Sequence, residues 1–228
     1  ARSAEQPRSH RQNNHMVIGR TTTGWYGSGV APSFGFFSRR VYGGVTAALA
    51  DTRVVVINGA RQTGKSTLAR IISEERPGSL VRYLDEAAAR AAAEADPTAF
   101  VRHDGLLVID EVQRVPDLML AVKHAVDLDP RPGRFLLTGS ARLYALHAIP
   151  DLLPGRAETI ELWPLSQGEI DQCPDSFIDT VFADGPDAAV PASDLHRGDY
   201  IGRALRGGYP QAVHRTDADQ FSQDLQLS

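Results

Sequence analysis

A glycine-rich octapeptide, Gly59-Ala60-Arg61-Gln62-Thr63-Gly64-Lys65-Ser66, connects a short apolar run at residues 54–57 to a segment compatible with a helix. It has the G-x-x-x-x-G-K-[ST] spacing of a phosphate-binding loop. In such a loop the glycines let successive backbone N–H groups point at phosphate oxygens, and the helix N-terminus adds the positive end of its dipole. This pattern predicts a strand, a loop and a helix that together bind a nucleotide.

Two positions of this glycine-rich loop (residues 59–66) have separate predicted roles. The Lys65 ammonium would reach the β- and γ-phosphates of ATP, and the Ser66 hydroxyl would occupy one coordination position of Mg²⁺. Arg61 is either a phosphate neighbour or a surface charge, and the same two interpretations apply to Arg114 further along the chain. The predicted nucleotide-binding residues are Gly59, Ala60, Arg61, Gln62, Thr63, Gly64, Lys65, Ser66 and Thr67.

A second apolar run, residues 106–109, ends in two carboxylates, Asp110 and Glu111. A strand buried in a parallel sheet has this composition, and ligands bind at the carboxyl ends of such strands. Asp110 would hold Mg²⁺ through the water shell of the ion, and Glu111 would act as the general base that polarises the attacking water. The alternative is a solvated acidic pair, but the glycine-rich loop upstream favours the Walker B interpretation, which is typical of hydrolysing ATPases.

Three further strands are predicted, at residues 80–84, 134–140 and 157–162. The second of these ends in hydroxyl side chains, Thr138 and Ser140, either of which is short enough to donate to water or to the γ-phosphate. One of them would be the sensor that positions the lytic water, although such hydroxyls also bond their own backbone in turns. The sequence does not choose between the two residues.

Four more segments follow in order along the chain: Tyr83-Leu84-Asp85-Glu86, Leu153-Pro154-Gly155-Arg156, Pro164-Leu165-Ser166-Gln167-Gly168-Glu169 and Gly207-Gly208-Tyr209-Pro210. With the motifs above, the chain resembles the AAA+-like ATPases of bacteria and archaea that carry an additional C-terminal domain of uncharacterised function. The resemblance covers residues 38–215. It implies an ATPase core with an added strand between the loop strand and the Walker B strand, and Mg-ATP as ligand.

The same resemblance draws attention to Arg156. A guanidinium here would stabilise the charge on the γ-phosphate in the transition state, either in cis or in trans from a neighbouring subunit. The alternative is an ion pair with Glu158, Glu161 or Glu169. The sequence leaves these interpretations open.

Composition and charge narrow the remaining choices. The chain has 228 residues, 42% of them hydrophobic, enough for one sizeable core. A single cysteine, Cys173, excludes an internal disulfide framework and favours the reducing cytoplasm. No apolar run approaches the length of a membrane span. The first 40 residues carry a net charge of +5 and the rest −9, which favours a disordered tail over a nucleic-acid-binding arm.

The predicted organisation has a disordered leader (1–37), a P-loop ATPase core (38–170) and an irregular insertion with a short helical extension (171–228). Alternating strands and helices predict an α/β P-loop NTPase, a parallel sheet of about five strands with helices on both faces. Asp85 is predicted to cap an alanine-rich helix at residues 86–95. Since the relatives continue beyond the Gly-Gly-Tyr-Pro turn, the resemblance implies that their C-terminal domain is missing here.

Two functions therefore stay open. The first is Mg-dependent binding and hydrolysis of ATP by a switch or motor that acts on an unknown macromolecular partner. The second is a nucleotide-binding interaction module with little or no turnover. The intact set of motif residues favours the first, and the missing C-terminal part favours the second. A homo-oligomer is compatible with both, and the sequence supports a nucleic-acid partner only weakly.

Overall fold

The structure is a computed structural model that describes residues 37–140, 153, 155–173, 177–185 and 194–214. Except for Phe37, the predicted disordered leader lies outside the described residues. The same is true of residues 141–152, which follow the predicted sensor strand, and of residues 215–228 at the end of the chain.

Five parallel strands form one sheet with the spatial order β2-β3-β4-β1-β5. They are β1 (Val54–Asn58), β2 (Leu80–Tyr83), β3 (Leu107–Asp110), β4 (Phe135–Gly139) and β5 (Ala157–Glu161). The three central strands are buried along their whole length, as expected for parallel strands covered on both faces. Because β4 lies between β1 and β3, the predicted added strand and the predicted α/β P-loop fold are confirmed.

Helices cover both faces of the sheet. Those in the described residues are α1 (Val41–Asp51), α2 (Lys65–Glu74), α3 (Ala87–Ala95), α4 (Pro97–Phe100), α5 (Leu118–Leu128), α6 (Gln167–Ile170), α7 (Phe177–Asp184), α8 (Arg197–Arg206) and α9 (Pro210–His214), with a 3₁₀ turn at Val112–Arg114. Alternate residues of a strand face opposite sides, and the core is split accordingly. Val54 and Val56 pack with α3, α4 and α5, whereas Val55 and Ile57 pack with α1 and α2.

Strand register brings the carboxyl ends of the strands to one edge of the sheet. Asn58, the last residue of β1, pairs with Gly139 of β4 and with Glu161 of β5. Tyr83 of β2 pairs with Asp110 of β3. The glycine-rich loop and the residues after β3, β4 and β5 therefore share this carboxyl edge, and the opposite side is the amino edge.

Two local predictions were wrong. Asp85 does not cap α3, because the N-cap position is Glu86, and the Asp85 carboxylate instead forms an ion pair with Arg114. The insertion that was predicted to be irregular after residue 170 contains α7 and the start of α8. Its proline- and glycine-rich flanks dominated the sequence pattern, but residues 175–184 contain neither Gly nor Pro and can form a helix. No helix in the described ranges is long and apolar enough to cross a membrane.

Candidate functional site

The geometry of the glycine-rich loop requires glycine at both ends of the pattern, Gly59 and Gly64. A Cβ atom on Gly59 would lie 2.3 Å from the Leu162 carbonyl oxygen, so that only glycine fits beside the chain that leaves β5. Gly64 adopts φ +97°, a left-handed conformation, and directly precedes Lys65, the first residue of α2. The loop therefore depends on glycine for two different reasons, close packing at its start and backbone conformation at its end.

Lys65 is held inside the loop. Lys65 is 4% exposed, and its Nζ atom donates to the Ala60 carbonyl at 2.6 Å. Burial lowers the pKa of Lys65, the nearby carboxylates of Glu111 and Asp110 oppose this shift, and Arg61 adds to it. An ammonium in this position carries a desolvated positive charge beside the backbone groups that the sequence predicts to receive phosphate.

Ser66, Asp110 and Thr138 come from three parts of the chain and form one hydrogen-bonded group. The Ser66 hydroxyl donates to Asp110 Oδ2 at 2.9 Å, and the Thr138 hydroxyl donates to Asp110 Oδ1 at 2.5 Å. Thr138 Oγ1 also accepts from the Glu111 backbone N–H at 3.0 Å. The Asp110 carboxylate thus has a fixed orientation at the end of β3, beside the start of α2.

The side-chain oxygens in this group are suitable ligands for Mg²⁺. The ion prefers oxygen ligands, and it commonly takes one or two from the protein and the rest from water and phosphates. The Ser66 hydroxyl and the Asp110 carboxylate supply two such oxygens 2.9 Å apart. No group of three or more His, Cys, Asp or Glu side chains able to hold a metal occurs in the described residues. A metal here would therefore depend on the ligands of a nucleotide as well as on the protein.

Glu111, the predicted base, has an unusual backbone. Its φ of 58° and ψ of 45° are left-handed, which costs about 1 kcal/mol or more for a residue other than glycine. Its Oε2 atom accepts a hydrogen bond from the Gln113 side-chain amide. The Gln113 Oε1 atom is buried and has no partner among the described residues. Gln113 therefore orients the predicted base, a contact that the sequence did not predict although Gln113 is only two residues from Glu111.

The two sensor candidates differ in their surroundings. The Thr138 hydroxyl donates to Asp110 and accepts from the Glu111 amide, so its one O–H donor is used within the protein. Ser140 follows the last residue of β4 and is also buried. Thr138 therefore orients the Asp110 carboxylate, whereas Ser140 lies immediately beyond the end of β4.

Arg156 lies at the amino edge, away from the glycine-rich loop. Its carbonyl accepts from the Val54 N–H at 3.2 Å at the start of β1, whereas the loop begins after the end of β1. A five-residue strand separates the two positions by about 16 Å. The cis role considered for Arg156 is therefore wrong, because its guanidinium lies at the opposite edge of the sheet from the glycine-rich loop of the same chain.

The predicted ion-pair partners of Arg156 were also wrong. Its Nε atom donates to Asp127 Oδ1 at 2.6 Å, near the end of α5, instead of to Glu158, Glu161 or Glu169. The residues that the sequence left open as surface charges behave accordingly. Arg61 is exposed, and Arg114 is exposed and paired with Asp85.

Arg39 touches the site but carried no sequence signal. Its guanidinium donates to the Thr63 carbonyl inside the glycine-rich loop at 2.6 Å, and it forms an ion pair with Glu169 at 3.2 Å. Arg39 belongs to none of the motifs that predicted the site. Only its partner Glu169, at the end of a family segment, gave a hint that this region matters.

Comparisons with known proteins agree with this architecture. A family model described as an AAA domain matches residues 51–171. Two uncharacterized proteins, one of Mycobacterium bovis and one of Mycobacterium tuberculosis, are each 34% identical over 175 residues, which is 76% of this chain and 38% of theirs. The chain thus spans 38% of the length of these curated relatives.

Among solved structures, AMPPCP-bound DnaA from Aquifex aeolicus has a similar fold. The TM-score is 0.52 at 12% sequence identity, and the match covers 82% of this chain and 64% of that one. At this identity the likeness concerns the fold alone.

Proposed function

Since the chain belongs to the AAA domain family, we propose that it binds Mg-ATP at the carboxyl edge and hydrolyses the bond to the γ-phosphate. The observation that supports this most is the group of Ser66, Asp110 and Thr138 beside the buried Lys65. A hydroxyl and a carboxylate at hydrogen-bond distance next to a desolvated ammonium match what a nucleotide triphosphate and its ion need.

The loop residues bind and orient the phosphates in this proposal. Backbone N–H groups of residues 59–66 and of the first turn of α2 donate to phosphate oxygens. Lys65 exchanges its bond with the Ala60 carbonyl for one with the β- and γ-phosphates, which uses its positive charge where negative charge is densest. Ser66 and Asp110 would hold Mg²⁺, which when bound neutralises part of the charge on the phosphates.

Glu111 and the hydroxyl residues act on the water. Glu111 takes a proton from the water whose oxygen bonds to the γ-phosphorus, while the bond from that phosphorus to the β–γ bridging oxygen breaks and ADP leaves. Gln113 orients the Glu111 carboxylate, and Thr138 fixes the turn that follows β3. Ser140 is the better candidate for a contact to the water or the γ-phosphate, because the Thr138 hydroxyl is engaged with Asp110.

For Arg156 the proposed role is a contact to the nucleotide site of a neighbouring subunit. Its place at the amino edge, away from the glycine-rich loop of its own chain, supports a trans contact over a cis one. The active form would then be a homo-oligomer in which each site is completed by the next copy. We place this activity in the cytoplasm, on the basis of the single cysteine, with a macromolecular partner that is still to be identified.

The test is phosphate release by the purified chain with Mg-ATP, compared with Glu111→Gln. We expect the variant to bind ATP as the parent does but to turn over at least about 100-fold more slowly, because it lacks the base. Binding without measurable turnover in both proteins would assign the alternative, a nucleotide-binding interaction module. Equal turnover in both would remove Glu111 from the reaction.

A further inference from the structure

The Arg39 guanidinium is fixed by three acceptors from three parts of the chain. Nη1 donates to the Thr63 carbonyl at 2.6 Å, Nη2 to the Trp163 carbonyl at 2.5 Å and Nε to Glu169 Oε1 at 3.2 Å. The side chain is 9% exposed. A planar, rigid fork with an acceptor at each of its three nitrogens has little freedom to rotate. Arg39 therefore joins the segment before α1, the glycine-rich loop and the chain after β5.

Glu169 is held as firmly as its partner. Its side chain is 6% exposed, Oε1 accepts from the Arg40 N–H at 2.7 Å, and Oε2 accepts from the Ser166 N–H at 3.0 Å. The Ser166 hydroxyl in turn accepts from the Glu169 N–H at 3.1 Å, which completes a capping box at the start of α6. Removing either member of such a desolvated pair leaves a buried charge without its counterpart.

The contact to Thr63 bears on how the loop receives phosphate. In a trans peptide the carbonyl of one residue and the N–H of the next point in opposite directions. Because Arg39 binds the Thr63 carbonyl, the Gly64 N–H of the same peptide points away from Arg39 and is left to donate to a phosphate. A carbonyl turned inward at this position would instead repel phosphate oxygens. The guanidinium thus selects the peptide orientation that a phosphate-binding loop requires.

The chain after β5 is tied to the same loop by further contacts. The Leu162 N–H donates to the Asn58 carbonyl at 2.7 Å, and the Leu162 carbonyl packs against Gly59. Trp163 and Glu169, both acceptors of Arg39, lie in the same stretch of chain. The conformation of the loop and the docking of α6 are therefore linked through one side chain.

We propose that Arg39 is a positioning residue that holds the glycine-rich loop in its phosphate-binding conformation, and that Glu169 makes phosphate affinity depend on the docking of α6. The proposal rests on the proposed nucleotide function. By reciprocity, a bound nucleotide stabilises the docked position of α6 to the same extent that docking strengthens binding.

Arg134 is a matched control. Its side chain is 10% exposed, and it donates to the carbonyls of Ala125 at 2.8 Å and Asp129 at 3.3 Å. It differs from Arg39 in place, because its N–H bonds the Arg53 carbonyl at the amino edge. Arg39→Gln and Arg134→Gln each remove a largely buried guanidinium that bonds backbone carbonyls, so both are expected to lower stability.

The experiment measures the affinity of the full chain for Mg-ATP and for tripolyphosphate by calorimetry, at a temperature where every variant is folded by circular dichroism. We expect Arg39→Gln to weaken both ligands by about tenfold or more, the loss of a charge-assisted hydrogen bond. Arg134→Gln should leave both affinities unchanged. Arg39→Lys should recover part of the loss, because one ammonium replaces only one arm of the fork, and Glu169→Gln should have a smaller effect than Arg39→Gln.

Three results would overturn the proposal. If Arg39→Gln binds both ligands like the parent, Arg39 is only structural. If ATP binding falls but tripolyphosphate binding does not, Arg39 affects binding through the nucleoside and not through the conformation of the loop. If Arg134→Gln weakens both ligands equally, the effect is general destabilisation. Should Arg39→Gln not fold, Arg39→Lys and Glu169→Gln decide the question in the same assay.

The proposed function fails in a different way. A parent chain that binds neither ligand, or a Lys65→Ala variant that binds both as tightly as the parent, would overturn the nucleotide site itself and this inference with it. Binding by the parent that depends on Lys65 but not on Arg39 would overturn only the inference.

Discussion

Charged residues occupy both edges of the sheet, but they are arranged in opposite ways. At the amino edge, Arg156 pairs with Asp127, and Arg131 pairs with Asp129 at 2.7 Å. These groups are partly or largely exposed, and each has an ion-pair partner of opposite charge. At the carboxyl edge, Lys65 is buried and donates to a backbone carbonyl, and Asp110 is buried and accepts from two hydroxyls.

The difference shows which charges serve the fold. Exposed pairs cost little to form and contribute about 1 kcal/mol or less, so the amino edge is stable as it stands. A buried ammonium that donates to a neutral backbone carbonyl, and not to a carboxylate, is costly, and burial lowers the pKa of Lys65. Such a cost is compensated when a ligand of opposite charge binds. We therefore expect the carboxyl edge to bind an anion, whereas the charges at the amino edge are already paired with one another.

Arg156→Ala tests whether the charges at the amino edge are only structural, and it is the substitution from which we expect the greatest change in rate. If Arg156 completes the site of a neighbouring subunit, its loss slows hydrolysis by about 10³-fold with little change in ATP affinity. Turnover per subunit of the parent should then rise with protein concentration. The measurement is phosphate release across a concentration series.

Asp127→Asn is the control for Arg156, because it removes the same ion pair but keeps the guanidinium. In the catalytic case this variant retains its rate. If both variants keep normal turnover at every concentration and lose only about 1 kcal/mol or less of stability, Arg156 is an amino-edge structural charge and the comparison holds without exception.

Lys65→Met tests whether the buried charge at the carboxyl edge serves ligand binding at a cost in stability. We expect ATP affinity to fall by about 100-fold, because a charge beside the phosphates is lost, while the ligand-free protein becomes more stable, because a buried ammonium is replaced by an apolar group. The two measurements are calorimetry with Mg-ATP and thermal unfolding without ligand. A variant that is less stable without nucleotide would show that the bond to Ala60 already compensates the burial of Lys65.

The same lysine predicts a pH dependence. Its pKa in the folded state lies below the ordinary 10.5, so between the two values the unfolded chain holds more protons than the folded one. The free energy of unfolding without ligand should therefore rise with pH in that window. ATP affinity should fall over the same range as the ammonium loses its proton. Lys65→Met should show neither trend.

The sequence predicted the strands of the sheet and their parallel arrangement because central strands covered on both faces are continuous apolar runs, such as residues 54–57. The residues of the glycine-rich loop and the end of β3 were identified by spacing alone. That Ser66, Asp110 and Thr138 share one set of hydrogen bonds follows from strand order, since β4 lies between β1 and β3. Their roles in catalysis stay predictions.

Contacts between distant parts of the chain were not predictable. Arg39 and Glu169 are 130 residues apart, and an arginine before a helix has no pattern that distinguishes it from a surface charge. Arg156 has acidic residues close by in sequence, yet it pairs with Asp127 from α5. In each case a side chain reaches an element that adjoins it only in the folded sheet, and local spacing contains no information on this.

Asp129→Asn tests whether the amino edge is independent of a ligand bound at the carboxyl edge. Its effect should be the least of those predicted here. Hydrogen bonds from Arg131 lower the pKa of this partly exposed carboxyl from 3.8 to about 2. Its contribution to stability is therefore complete above about pH 4 and is lost as the pH falls toward 2. Asp129→Asn should remove that acid-dependent part, without changing the ATP affinity at neutral pH. The check is urea unfolding of both proteins between pH 2 and pH 5, read with calorimetry at pH 7. A changed ATP affinity would mean that the two edges are coupled through β4 and that neither can be interpreted alone.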